Sequence, residues 1–580
     1  MTRHSRYDVV IIGAGKAGLA LARHLLLHTD KTVLLIDKRE QLPGSTQKVG
    51  ESLVQSSGFY LSKVLDLQEH LLTEHYLKYN LRFHWRRDTS ENRNMEDYSC
   101  SFIRLGSNIP TFQLDRNVLE QHLLDINAQN PRYELAAGVR DLEVDLGADG
   151  AAHTLRTGGQ SITCDWVVDT SGRGGFLKRR LSLEQPNVVR HGSTWCWVEG
   201  LVDIERLTDR PRTDIVFDRK RRKTGHMPFF LATNHFCDEG MWFWVIPLHG
   251  KTSLGLVYDH SVLKPEEVSN ARKMLDYVAR KWPLFQRDFP NRKVVDEGRY
   301  IDYSYDARTT ISPDRWALCG EAGRFSDPLY SPGGDLIAIH NTLIVDAIKG
   351  TDRSRLARKC QLYEQIMRIS YESYIPSYSI SYNCLGDQEC FTLKYTWELA
   401  VYFGFYVVPI INNLLTDTQF MPFHLRKYGL LGPINKNLQM LLSAFFEWKK
   451  TNGRLGAETP TLIDFYQMIP LRESEKLFYE VGLTNEEAEA VFENHIARLK
   501  EFARYIIAHV HASVLGNSAI LRNASFLRSI KLRETVFDPE AMRAAYEPHA
   551  ASTEIYEWNL DPFALDAFLA RRSTAMEATV

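Results

Sequence analysis

The segment from Tyr7 to Asp37 constrains this chain more than any other. Residues 7–12 (YDVVII) and 32–36 (TVLLI) are short apolar runs, and between them lies Gly13-Ala14-Gly15-Lys16-Ala17-Gly18 followed by the helical stretch LALARHLLL. The order predicts strand, tight turn, helix, strand. Gly13 permits the turn, Gly15 lets the backbone approach a pyrophosphate, and Gly18 lets the helix pack on the strand. The helix N-terminus then faces the phosphates with its partial positive charge. Asp37 ends the second strand, where a carboxylate can bind a ribose hydroxyl pair, and Lys38 stands beside it. Flanked in this way, the glycines predict a dinucleotide site rather than a structural turn.

A length of 580 residues implies more than one structural unit. Formal net charge is -2 with no long run of one sign, so a nucleic-acid surface is not expected. The N-terminus enters its first strand without a signal-peptide pattern, which points to a cytoplasmic protein. The most apolar stretch, Trp397 to Leu415, is interrupted by Glu398, Pro409, Asn412 and Asn413. A core or groove-lining helix is expected there, not a membrane span. The eight cysteines form no CxxC pair and read as reduced thiols. His509 and His511, two apart on a helix, do not share a face, and no metal site is expected. That helix is well specified: Thr484 can cap it with Glu487 three residues on, and Phe492, Ile496, Leu499, Phe502, Ile506 and Val510 recur at helical spacing. Residues 265–282 also read as one helix, and the final residues, 571–580, as frayed.

Later motifs favour FAD over NAD(P). Trp166-Val-Val-Asp169-Thr-Ser-Gly-Arg173 is a strand ending in a small-residue turn. Trp316-Ala-Leu-Cys-Gly320-Glu321-Ala-Gly323 is another, followed by Asp327-Pro328 and a helix start at Ser331-Pro332-Gly333-Gly334. Arg116 opens a helix of its own. A glycine-lined helix N-terminus late in the chain suits the electron-rich edge of a reduced flavin. No second complete glycine motif exists for a nicotinamide cofactor.

These segments, in this order, resemble the FAD monooxygenase superfamily with the para-hydroxybenzoate-hydroxylase type of fold. The resemblance implies that Gly13 to Gly18 and Asp37 hold the ADP half, with Arg116 near the flavin. Asp169 to Arg173 is similar to the superfamily's middle motif. Gly320-Glu321-Ala322 resembles its Gly-Asp-Ala motif, with Glu for Asp. Two features narrow the resemblance to the tryptophan-halogenase-like, flavin-dependent halogenases. Trp242-Phe-Trp244-Val-Ile246-Pro247 fits their Trp-x-Trp-x-Ile-Pro signature, and Gly50-Glu51-Ser52 is followed by Lys78 just before the strand Leu-Arg-Phe83-His-Trp85, where the family's catalytic lysine falls.

The resemblance implies reduced FAD, O2 and chloride or bromide as reactants, flavin hydroperoxide and hypohalous acid as the route, and a separate flavin reductase as partner. Physical reasons stand beside it. Two tryptophans at i and i+2 on a strand face one side and can wall an organic substrate away from the oxidant. Lys78, among Tyr76, Leu77, Tyr79 and Leu81, can have its charged form disfavoured. Ser331, Gly333 and Gly334 are the candidate halide contacts.

Two departures bear on specificity. Tyr330 stands where tryptophan halogenases carry a glutamate, which argues against free tryptophan and for a phenol or pyrrole, free or carrier-bound. Pro332 lacks an N–H, so one halide donor is missing and an aromatic hydroxylase stays open as an alternative, as does a flavin reductase or dehydrogenase without halide use.

The expected architecture is an interleaved α/β flavoprotein. A Rossmann-like FAD unit comes from residues 1–75, 105–185 and 300–350, a mostly β substrate unit from 76–104 and 186–299, and a helical C-terminal domain, 351–580, covers the substrate side. Tyrosines 371, 374, 378, 382, 395, 402 and 406 are candidates to line an aromatic pocket there.

Overall fold

A computed structural model describes residues 4–214, 225–350, 352–456, 461–465, 469–558 and 568–569. The tail 571–580, read as frayed, lies outside them. The first apolar run is a strand, Arg6–Ile12, followed by a helix, Lys16–His28, and a second strand, Val33–Asp37. Strand 6–12 pairs in parallel with 33–37 on one side and with 160–169 on the other. Strands 133–137 and 316–318 extend the parallel array outward on the two sides. Its strands end at Ile12, Asp37, Asp169 and Leu318, so the expected cofactor turns all leave one edge. The carboxyl edge of a parallel sheet is where such folds bind ligands.

The second sheet also has eight strands, in the order 294–300, 191–199, 251–259, 241–248, 233–238, 81–85, 99–102 and 462–464. Pairing within 191–259 is antiparallel, whereas 233–238 runs parallel to 81–85. The edge strand 462–464 comes from the otherwise helical C-terminal region and pairs in parallel with 99–102. This was not foreseen, because three residues carry no periodicity to read.

The helix capped by Thr484 runs from Asn485 to Leu515 and ends at Gly516, whose φ of +65° suits a glycine cap. Its expected apolar stripe is buried throughout. The helix expected over 265–282 is two pieces, a 3-10 turn at 265–268 and an α-helix at 271–281. Asn270 caps the second by accepting from the Lys273 N–H. The run at 397–415 is also broken: an α-helix over 388–402 passes into a π-helical turn at 403–407 and a short helix at 408–411. Among the described residues no helix is long and apolar enough to cross a membrane. All eight cysteines are free and buried. His509 binds the Glu389 carboxylate and His511 a backbone carbonyl of its own helix.

Candidate active site: two cavities and the wall between them

Two cavities adjoin where the sheets meet the helical region. The larger, of about 790 Å³, follows the carboxyl edge of the parallel sheet. Gly13, Gly15, Asp37, Lys38, Ser52, Arg116, Gly320, Glu321, Pro328, Gly333 and Gly334 line it, as do Trp242, Trp244, Ile246 and Ser331. Residues more than three hundred positions apart thus meet as the sequence motifs require.

Four expected site residues line neither cavity. Ala14 is covered, and its N–H donates to the Asp37 carboxylate at 2.7 Å. Gly18 acts in packing: a Cβ there would sit 2.0 Å from the Gly13 carbonyl oxygen, so only glycine lets helix 16–28 approach the turn. Asp169 is buried and accepts hydrogen bonds from the Ser171 and Leu177 N–H groups, shaping the turn whose residues Thr170 to Gly174 do line the cavity. Pro247 lies in strand 241–248 beyond the lining.

The larger cavity fits a dinucleotide. Lysines and arginines outnumber carboxylates in its lining. Lys48 and Arg116 both pair with the buried Glu120, and the buried Lys16 donates to the Gly50 carbonyl. Burial, helped by Arg116, pulls the Lys16 ammonium down to about 7. A Cβ built on Gly15 meets nothing within 4 Å, so that backbone is open to an approaching group. The Arg116 Nε and Arg173 Nη1 atoms are buried without a hydrogen-bond partner. Such orphaned donors around a cationic hollow suit an anionic ligand. At the end of strand 33–37, the Asp37 carboxylate also holds Arg39 through bonds of 2.8 and 2.9 Å. Burial works against the charge there, but Arg39 keeps the Asp37 carboxyl below its ordinary value.

The two tryptophans occupy one face of strand 241–248, with ring centroids 5.8 Å apart. Trp242 Nε1 donates to the Tyr382 hydroxyl at 2.7 Å. Trp244 Nε1 donates to Ser253 Oγ at 3.1 Å, and Ser253 donates in turn to Glu51. Burial raises the Glu51 carboxyl to about 7.

The smaller cavity, of about 310 Å³, has its own lining. Lys78 and Tyr330 are in it, with tyrosines 371, 374, 378, 395, 402 and 406 of the expected set. Tyr382 is not, because its hydroxyl serves Trp242 and its ring stacks on His191 at 4.1 Å. Residues 329–336 wall this cavity from the larger one. Tyr330 and Ser331 have φ of +67° and +63°, a conformation uncommon outside glycine and strained where it occurs. The two successive left-handed residues place Tyr330 on the smaller cavity and Ser331 on the larger, and Pro332 then opens the helix 332–349.

Lys78 is 6% exposed. Its Nζ donates to Ser52 Oγ at 2.8 Å and to the Leu53 carbonyl at 2.6 Å. Burial lowers its ammonium to about 7, against the pull of Asp335. Asp335 was not singled out from sequence, where it reads as an ordinary acid in a first helical turn. It lines the smaller cavity, accepts from the Ser57 N–H and the Tyr402 hydroxyl at 2.8 Å each, and is raised by burial to about 6. Glu398 was noticed only as an interruption of an apolar run, yet a lone carboxylate in such a run must be paired or functional, and it lines the same cavity. His235 is a further omission. It lines the larger cavity, its ring stacks on Phe83 at 4.8 Å, and burial holds it neutral at about 3.

Comparison with known proteins places the chain among related sequences. Residues 8–139 match the family model described as tryptophan halogenase. The flavin-dependent halogenase chlA of Dictyostelium discoideum is 25% identical over 499 residues, 79% of this chain and 81% of the relative. By these matches the chain is similar to the flavin-dependent halogenases. The 1H-pyrrole-2-carbonyl-[peptidyl-carrier protein] chlorinase of Pseudomonas fluorescens is also 25% identical, over 60% of this chain and 78% of its own. In fold, the chain is similar to the halogenase PltM in complex with phloroglucinol and FAD, with a TM-score of 0.62 and 18% identity over 85% of this chain and 96% of the other. The Dictyostelium relative is named a flavin-dependent halogenase and the PltM structure holds FAD, a cofactor that the larger cavity of this chain fits.

Proposed function

We propose that the protein is a halogenase that chlorinates or brominates an electron-rich aromatic substrate, a phenol or a pyrrole, held in the smaller cavity while FAD occupies the larger. The observation that carries the reading is the separation itself: the groups expected at the cofactor and the groups expected at the substrate line different cavities, and Lys78 stands at the boundary.

Bound in its reduced form, FAD would supply with O2 the oxidising equivalent that turns halide into hypohalous acid. The Arg116, Lys16 and Gly15 surroundings would hold the cofactor. The backbone around Ser331, Gly333 and Gly334, at the positive end of helix 332–349, would hold the halide. Trp242 and Trp244 would keep the organic substrate from the flavin. Lys78, uncharged in an appreciable fraction near neutrality, would bind the hypohalous acid and present its halogen to the substrate. The ring carbon then bonds to the halogen as the halogen–oxygen bond breaks, and the ring proton passes by way of the Asp335 carboxylate to the departing hydroxide, giving water. The helical region 351–580 would cover the substrate, and a separate reductase would deliver the reduced flavin.

Pro332 at the helix start favours a second reading, direct hydroxylation without halide. One assay separates the two: turnover of phenols with reduced FAD, with and without chloride or bromide. Halide-dependent halogenated product supports the first reading. Hydroxylated product formed without halide overturns it.

A further inference from the structure

Glu398 lies in the helix 388–402 with its carboxylate buried. Its Oε1 accepts hydrogen bonds from Lys394 Nζ at 2.5 Å, from Gln439 Nε2 at 3.0 Å and from the Ser377 hydroxyl. Its Oε2 has no partner, although it too is buried. Tyr330, brought in from the wall between the cavities, faces the same carboxylate with a buried hydroxyl that has no partner either. Burial, and next to it the Glu398 charge, push the Tyr330 phenol well above its usual range, so it stays a neutral donor. The two groups share the lining of the smaller cavity and lie close enough for the carboxylate to act on the phenol, yet no well-formed hydrogen bond closes between them.

We propose that Tyr330 and Glu398 form a hydroxyl-recognition site at which the substrate's ring hydroxyl donates to Glu398 Oε2 and accepts from the Tyr330 O–H. The inference rests on the aromatic-substrate reading above and names the substrate class as phenols. The chemistry of the pair selects the ligand. One partner offers an unpaired acceptor oxygen and the other an O–H donor, so a group that both donates and accepts satisfies both. An ether oxygen accepts from Tyr330 but leaves Glu398 Oε2 unpaired. A pyrrole N–H serves Glu398 but leaves Tyr330 without an acceptor. A cation is not called for, because Lys394 already balances the carboxylate at its other oxygen. A buried polar atom left unpaired by the wrong ligand is a strong source of discrimination. The bond to the carboxylate would also draw the hydroxyl proton away from the ring and enrich the carbon to be halogenated.

The test is equilibrium binding of resorcinol and of its dimethyl ether, 1,3-dimethoxybenzene, to the FAD-loaded protein in halide-free buffer. Resorcinol is expected to bind about tenfold more tightly than the ether or better. Tyr330→Phe removes a hydroxyl that makes no well-formed hydrogen bond, and its melting temperature is checked because the Glu398 carboxylate lies close to it. It should weaken resorcinol about tenfold while leaving the ether unchanged. Glu398→Gln serves as the second variant, its melting temperature checked because Lys394 loses its counter-charge, and should narrow the same ratio. Equal binding of the two probes to the parent, no resorcinol binding at all, or an undiminished ratio in Tyr330→Phe overturns the proposal. Halogenation is not read in this experiment. Discrimination without any halogenated product would therefore sink the activity reading and leave the site standing. Halogenation with no discrimination would do the reverse.

Discussion

Lys78 Nζ donates a 2.8 Å hydrogen bond to Ser52 Oγ, and the two residues line different cavities, Ser52 the larger and Lys78 the smaller. Ser52 is itself held from the far side by Thr233 at 2.9 Å. The only amine at this boundary among the described lining residues is therefore fixed in place before any ligand arrives. In the proposed mechanism the lysine acts after the oxidant forms. Lys78→Ala should then lower halogenated product by about a hundredfold or more, the scale of a positioned acid–base group, while reduced-flavin oxidation and peroxide release continue. Parallel assays of product and peroxide decide it; a variant that halogenates at the parent rate would make Lys78 structural.

The same lysine sets a pH dependence. Burial lowers its ammonium to about 7, and the amine is the form present above that value. Asp335, raised to about 6, becomes a carboxylate over the lower part of the same range. Both changes act in one direction. Single-turnover halogenation should rise about tenfold between about pH 6 and about pH 8, then level off. A rate that falls over this range would show that the charged lysine is the working form.

Gly15 is a test of the cofactor cavity. A Cβ there meets no protein atom within 4 Å, so Gly15→Val should fold while its side chain projects into the space a pyrophosphate needs. We expect FAD affinity to drop by about tenfold or more with little change in the melting temperature of the FAD-free protein. Retained flavin on purification would mean that the phosphates pass elsewhere.

Gly255 lies opposite Trp244 in the antiparallel pair, and a Cβ on it would come within 2.2 Å of the indole ring. Gly255→Ala must therefore displace Trp244, at a cost of about 1–3 kcal/mol in stability. If the tryptophan pair confines the oxidant, the variant should release more of its oxidising equivalents as free peroxide or hypohalite for each substrate halogenated. An unchanged ratio of product to released oxidant would remove Trp244 from that role.

Phenols and resorcinols should be halogenated and free tryptophan should not. By the resemblance, Tyr330 stands where a carboxylate would serve an indole ring, and it lines the smaller cavity. A panel of tryptophan, simple phenols, resorcinols and carrier-bound pyrroles, with reductase and FAD supplied, measures this. Efficient turnover of tryptophan with the phenols inert would show that Tyr330 has another function.

Much of this protein was determined locally. The strand–turn–helix–strand from Tyr7 to Asp37 is legible because glycine's missing side chain and the alternation of apolar runs are properties of neighbouring residues. The Trp242/Trp244 pair is legible because residues two apart on a strand share a face. The capped helix 485–515 follows from Thr484 and Glu487 in the same way. What only the tertiary structure decided are relations between distant segments. No spacing announces that Tyr330 meets Glu398, that Asp335 lies near Lys78, or that Tyr382 leaves the pocket to serve Trp242. Nor does any spacing separate two cavities at adjacent residues, with Tyr330 on one side and Ser331 on the other. The physical reason is that burial sets the chemistry of such groups. An acid or lysine in a helical turn has its ordinary charge until other parts of the chain close over it, and only then do desolvation and partners shift its proton affinity and leave its free atoms facing a ligand.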